Sequence, residues 1–309
     1  VRTHDAIRTE ILHGSPEWHE ARRGKINIST ASSILYPGKQ GVYGSPFTEY
    51  VRITDELLGK QTADKKVGNE EILEWGTITE PLHLEMIRKR MPELIISPNK
   101  SMYQHAKHSF IVGTPDALGF DQMETMIIET KAPVYHEPWE QADCPTGPMT
   151  QAMLYASMFD TTKGCIVSAL IPPGIKTFKL ARNKQWEEWA WAKLEDFWNN
   201  NILRGIAPQA DASKGLELLE GMQRDTGVSV KLPEELKESA SQMEVAKNMI
   251  KEWEEVEKTC RAKIMQAMAG AEIGQFEDGS GFSYLSQTRN SPAREATTST
   301  YRVFRAMKA

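Results

Sequence analysis

Apolar residues recur every three or four positions through 69–90, at Ile72, Trp75, Ile78, Leu82 and Met86. That spacing predicts a long helix with one apolar face. The same period predicts helices over Phe47–Leu58, Pro148–Met158 and Lys184–Leu203, the last rich in tryptophan. Short apolar runs predict strands over Ile95–Tyr103, Phe110–Gly113, Ala117–Phe120, Met126–Lys131, Cys165–Ile171 and Thr177–Leu180. Residues 1–24 read as helical, with Ser15-Pro16-Glu17 as a start signal because proline suits a first helical turn. A short helix opens at Ser29–Ser32, and glycine and proline place a loop over Tyr36–Pro46. Helices interleaved with strands predict an α/β domain with a small mixed sheet.

After a transition over Ala207–Val230, apolar residues from Leu236 to Ala267 again step by three or four, predicting a helix of more than thirty residues with one apolar seam. Its other faces are rich in Glu and Lys. Gly270–Gly281 breaks this helix, and Phe282–Gln287 with Tyr301–Met307 read as a closing strand pair. The expected organisation is an α/β core over 1–210 and a mainly helical extension over 211–309.

The chain has 309 residues, 40% hydrophobic and 26% charged, which is the balance of a folded globular protein rather than a disordered or collagen-like one. No apolar run approaches the length of a membrane span and no secretory leader is visible, so a cytoplasmic protein without membrane attachment is expected. Three widely separated cysteines, Cys144, Cys165 and Cys260, make neither a zinc knuckle nor a disulfide framework. The net charge is −5, yet Gly279–Ala309 carries five basic residues against Glu295 alone. A nucleic-acid partner is therefore open, because local charge matters more than the sum.

The chemistry concentrates between Gly113 and Lys131. Thr114-Pro115-Asp116 interrupts one strand, and Glu129-Thr130-Lys131 ends the next. Taken singly, Asp116 is a turn residue, Glu129 and Lys131 a surface ion pair, and Glu80 an acid on a helix surface. Together, acids converging on strand ends call for a cation. Oxygen ligands from Asp116 and Glu129 suit Mg²⁺, with Glu80 as a third acid. Lys131 would stand beside the cation and help an attacking water, and Gln151 would position it. His83, His105 and His108 form no recognisable ligand set and read as structural.

This order of motifs resembles the PD-(D/E)XK nuclease superfamily. Trp18-His19-Glu20-Ala21-Arg22-Arg23-Gly24, the Ser29–Ser32 segment, and Asn69, Trp75-Gly76 and Glu80-Pro81 narrow the resemblance to lambda-type exonucleases, the YqaJ-like viral recombinases. The resemblance implies a PD-(D/E)XK nuclease-like core with a small mixed β-sheet flanked by helices. It implies a Mg²⁺-dependent 5′-to-3′ exonuclease on double-stranded DNA ends, with Mn²⁺ as a substitute, acting in phage-type recombination. A trimeric ring and a single-strand annealing partner are implied as well. Glu80, Asp116, Glu129, Lys131 and Gln151 fall on the catalytic positions, and the backbone carbonyl of Thr130 joins the metal set. Arg22, Ser29 or Ser32, and Thr114 fall on the 5′-phosphate pocket. A guanidinium forks readily onto a terminal phosphate. Two other readings stand beside this one: a structure- or sequence-specific endonuclease on the same core, and a non-catalytic DNA-end or recombinase-binding protein.

Overall fold

The computed structural model describes residues 5–60, 70–122, 124–222 and 227–285. The chain divides into two compact units, 1–224 and 225–309. The first unit runs β1 (Ala6–Leu12), α1 (Pro16–Arg22), β2 (Ile26–Asn27), a 3-10 turn (Ile28–Thr30), α2 (Ser32–Leu35), α3 (Pro46–Leu57) and α4 (Glu70–Arg90). It continues through β3 (Ile95–Pro98), β4 (Ser101–His105), β5 (Ile111–Gly113), β6 (Ala117–Asp121) and β7 (Glu124–Lys131). Then come α5 (Glu137–Glu140), α6 (Thr146–Met158), β8 (Cys165–Ile171), β9 (Gly174–Leu180), α7 (Lys184–Asp196) with a π-helical continuation (Phe197–Leu203), and α8 (Lys214–Gly221). Among the described residues no helix is long and apolar enough to cross a membrane.

The architecture is mixed α/β, as expected, but the single small sheet of the sequence reading is two sheets. One has the order β3-β6-β7-β8-β9 and is antiparallel except where β7 meets β8. The other has the order β1-β4-β5-β2 and is antiparallel except where β5 meets β2. The run expected as one strand over Ile95–Tyr103 breaks at Asn99-Lys100, so β3 lies in one sheet and β4 in the other. The run from Ile111 to Asp121 breaks at Thr114-Pro115-Asp116 in the same way. The two breaks bind each other. Asn99 donates its backbone N–H to the Asp116 carbonyl at 2.8 Å and its side-chain amide to the Pro115 carbonyl at 2.9 Å. Pro115 has no N–H to give a ladder, so the chain changes sheets there.

The five-stranded sheet is covered on both faces. Alternation along β7 sends Ile127 into a core with Leu154, Tyr155 and Met158 of α6. Ile128 goes into a second core with Leu84 and Ile87 of α4 and with Met91 just after it. Continuing that alternation, Glu129 and Lys131 project on the α6 side and Thr130 on the α4 side. Tryptophans of the 184–203 stretch serve packing. Trp186 and Trp191 direct their indole N–H groups to Tyr36 and Ser157, at 2.8 and 2.9 Å, and Trp198 stacks on Phe110.

Several expectations are corrected. The first helix begins only at Pro16, capped by Ser15, and the residues before it form edge strand β1 on β4. Its charged residues hide the strand, since only Ala6 is buried. In α4 the spaced apolar row is not the core face: Ile72, Trp75, Ile78 and Leu82 are exposed, and burial falls on Thr79, His83, Leu84 and Ile87. The domain boundary lies beyond 210, because α8 packs on α3 within the first unit.

In the second unit, α9 (Leu236–Met268) has no buried residue along its length. It is followed by β10 (Ile273–Gln275) and β11 (Gly281–Ser283), which pair with each other. The expected break at Gly270–Gly281 thus contains a strand, and Phe282 pairs with Gly274. The expected partner strand at Tyr301–Met307 lies outside the described residues.

Candidate active site

Asp116 occupies the crossover between the sheets. The β6/β7 register, Ala117 against Ile128, places Asp116 opposite Glu129 one step beyond the last pair. One oxygen of Asp116, Oδ2, accepts from both the backbone N–H and the hydroxyl of Thr130, at 2.7 and 2.8 Å. In a strand the N–H and C=O of one residue project to the same edge, so the Thr130 carbonyl lies on the Asp116 edge of β7.

Glu129 is 1% exposed. Its Oε1 accepts from Lys131 Nζ at 2.5 Å, while Oε2 is buried without a hydrogen-bond partner. Burial, and then the charge of Asp116, push the Glu129 carboxyl up to about 8. Glu80, at the Glu-Pro step of α4, is raised to about 7 by burial and then by Asp116. Burial opposes the charge on Lys131, but Glu129, Asp116 and Glu80 outweigh it and hold its pKa above the usual lysine value. The three acids therefore feel one another across the end of β7. Glu129 arrives from the α6 side and Glu80 from the α4 side, with Asp116 at the edge between. Among the described residues no three His, Cys, Asp or Glu side chains are gathered closely enough to form a ready metal cage. Thr130 and Lys131 instead occupy one oxygen each of Asp116 and Glu129.

The donor set still fits a hard divalent cation. It is all oxygen, it is negatively charged, and a buried carboxylate oxygen without a partner carries a free-energy cost that a cation would remove. Gln151 is buried on α6, which packs against β7.

A second cluster adjoins the acids. The guanidinium carbon of Arg22 lies 3.9 Å from the Trp18 ring centroid, and Arg22 Nε donates to Asn27 Oδ1 at 2.7 Å. Trp18 Nε1 donates to the Thr114 hydroxyl at 3.0 Å, and the Thr114 N–H donates to the Tyr155 hydroxyl at 2.9 Å. Burial, then the charges of Glu129 and Asp116, hold Tyr155 well above the usual phenol value. Trp18 thus ties Thr114 to the Arg22 cluster, and Tyr155 holds its backbone while feeling the charge of the acids. Gly113 makes this approach possible, since a Cβ there would lie 2.6 Å from the Tyr155 hydroxyl.

The segment behind Arg22 is braced by α3. Arg52 pairs with Glu49 and Glu56 at 2.9 and 2.8 Å and donates to the Lys25 carbonyl. Glu56 accepts from the Gly24 N–H, and Glu49 from the Thr30 hydroxyl. Gly24 has φ +64, and a Cβ would meet Leu57 at 2.6 Å, so the glycine after the two arginines is required by geometry.

Of the residues named from sequence, Asp116, Glu129, Thr130 and Lys131 come together, and Glu80 is coupled to them through charge. Arg22 and Thr114 are joined to them through Trp18 and Tyr155. Ser29 is exposed on the 3-10 turn, and Ser32 is buried at the start of α2, in the segment that follows Asn27. His83 bonds Ser168 at 2.9 Å, and His105 accepts from the N–H groups of residues 107 and 108. Sequence reasoning missed Tyr155, Asn27, Asn99 and His13. His13 packs edge-on against Trp18 with ring centroids 4.5 Å apart. Tyr155, Asn99 and His13 meet their partners at the crossover, whereas Asn27 lies five residues from the arginine it holds.

The sequence profile described as "YqaJ-like viral recombinase domain" matches residues 17–162. The uncharacterized protein YqaJ of Bacillus subtilis (strain 168) is 22% identical over 263 residues, covering 84% of this chain and 79% of that protein. Among solved structures, LHK-Exo in complex with dAMP is similar at TM-score 0.52 and 16% identity, over 62% of this chain and 94% of that one. The alkaline exonuclease LHK-Exo from Laribacter hongkongensis is similar at TM-score 0.50, with the same identity and coverage. At such identity the likeness is one of fold.

Proposed function

We propose that this chain, whose residues 17–162 match the YqaJ-like viral recombinase domain, is a divalent-cation-dependent exonuclease that digests linear double-stranded DNA from its ends, 5′ to 3′, in phage-type recombination. The observation that carries the reading is the unpartnered Oε2 of buried Glu129 beside Asp116 at the sheet crossover.

Asp116, Glu129 and the Thr130 carbonyl would hold Mg²⁺, or Mn²⁺ in its place, with Glu80 as a further ligand. Such an ion supplies Lewis acidity at the phosphodiester and lowers the pKa of water. The chain's own groups do the rest. Lys131 holds a positive charge at Glu129 and orients the attacking water. Gln151, on the α6 face, positions the same water. Arg22 forks onto the terminal 5′ phosphate, helped by the hydroxyls of Thr114 and of Ser29 or Ser32. Trp18 fixes the guanidinium plane, and Tyr155 fixes Thr114. Each cut would regenerate a 5′ phosphate for that pocket, which suits stepwise digestion.

A homo-oligomer, a trimeric ring by resemblance, and a single-strand annealing partner belong to the same proposal. The exposed apolar residues of α4 support association of copies.

The test is an end-labelled linear duplex beside a covalently closed circle, each with and without Mg²⁺. Nucleotide release from the linear duplex alone, only with Mg²⁺, is expected. Cutting of the circle would favour an endonuclease on the same core. Binding without release at any Mg²⁺ concentration would favour a non-catalytic end-binding protein.

A further inference from the structure

Lys100 stands at the same crossover, next to the Asn99 that bonds Pro115 and Asp116. Its backbone is pinned on three sides. Its carbonyl accepts from the His13 N–H at 2.7 Å. Asn99, immediately before it, is bonded to Pro115 and Asp116. Ser101, immediately after it, donates its N–H to Asn99 Oδ1 at 3.2 Å and accepts from Arg8 Nε at 3.0 Å. The root of the side chain is therefore fixed beside the Asp116 turn, while the side chain itself is exposed. Among the described residues no carboxylate lies within ion-pair distance of its ammonium. Its charge nevertheless reaches both Glu80 and His13. An exposed lysine on a rigid root, next to an acid cluster yet paired with none of it, is placed to meet an incoming anion.

We propose that Lys100 is a phosphate-binding residue: its ammonium takes a backbone phosphate oxygen of the DNA strand lying across the Asp116 crossover. The inference rests on the nuclease reading above. Lys131 is engaged with Glu129, whereas Lys100 makes no ion pair among the described residues and can face the strand from the β3–β4 side. A lysine binds phosphate as a point charge, without base preference, which suits an enzyme acting on any sequence.

The experiment measures binding of a 5′-phosphorylated duplex by fluorescence anisotropy between about 50 and 200 mM salt, with Ca²⁺ in place of Mg²⁺ to hold back cleavage. Lys100→Ala should weaken binding by about threefold to tenfold and lower the slope of log K against log salt by about one, as loss of one phosphate contact requires. Lys100→Arg should keep the slope. Melting temperatures of both variants should match the parent, because the side chain is exposed. A parent that binds duplex, with an unchanged slope in Lys100→Ala, overturns this inference alone. So does a variant whose only change is in cation affinity, since that makes Lys100 a neighbour of Glu80 and no more. A parent that binds no duplex overturns the nuclease reading and this inference with it.

Discussion

Thr130 gives two hydrogen bonds, one from its backbone and one from its hydroxyl, to a single oxygen of Asp116. That leaves the other Asp116 oxygen and the buried Oε2 of Glu129 as the acceptors available to a cation. Thr130→Val keeps the shape and the backbone donor but removes the hydroxyl donor. We expect it to retain the fold and to lose about tenfold in Mg²⁺-dependent digestion, the order of one hydrogen bond to a charged group. Asp116→Asn and Lys131→Ala should fold and lose activity by about a hundredfold or more. Initial rates on end-labelled duplex, with circular dichroism as the check on folding, decide both.

The raised carboxyls of Glu80 and Glu129 make the metal-free protein sensitive to pH. Both sit above their ordinary value of 4.5, at about 7 and about 8. Between those limits the folded state holds more protons than the unfolded state, so raising pH lowers stability. Above about pH 6.5, where the buried imidazoles of His83 and His105, held down to about 4, no longer add stability with rising pH, the metal-free melting temperature should therefore fall toward about pH 8.5, and Mg²⁺ should restore more of it at the upper end. Glu129→Gln should flatten the decline while abolishing digestion. A metal-free melting temperature that climbs across this window would contradict the burial of Glu129 as a strained acid.

Arg52 braces the segment that carries Arg22 and Asn27. Removing it leaves Glu49 and Glu56 without their shared cation in a mostly buried site. Arg52→Ala should cost about 3 kcal/mol in chemical denaturation, the scale for breaking a buried pair. Arg52→Lys should recover only part, because an ammonium lacks the planar fork that serves both carboxylates.

Arg22→Ala should reduce the preference for 5′-phosphorylated over unphosphorylated ends with little change in melting temperature. Equal loss on both kinds of end, read from digestion rates, would remove Arg22 from the phosphate pocket.

Local chemistry was the legible part of this chain. Pro115-Asp116 and Glu129-Thr130-Lys131 stand out because proline and a sudden switch from apolar to charged residues are local signals. Helix periods were legible too, but not which side they bury. The row at Ile72, Trp75, Ile78 and Leu82 defines a helix and then faces outward, since an apolar stripe does not say what covers it. The sheet crossover was invisible. A strand that changes sheets keeps its apolar run on both sides of the break, so 95–103 looks continuous. Tyr155 and Asn99 were illegible for the same reason: each acts across the crossover, on partners 41 and 16 residues away. Strand β1 was lost because an exposed edge strand has no buried alternation to read.

The central claim is that Asp116 and Glu129 share a divalent cation. Titrating Mn²⁺ into the purified protein, followed by electron paramagnetic resonance of the free ion, tests it without relying on cleavage. Saturable binding is expected, strengthening as pH rises toward 8 and lost in both Asp116→Asn and Glu129→Gln. Binding of equal affinity in the parent and both variants would contradict it.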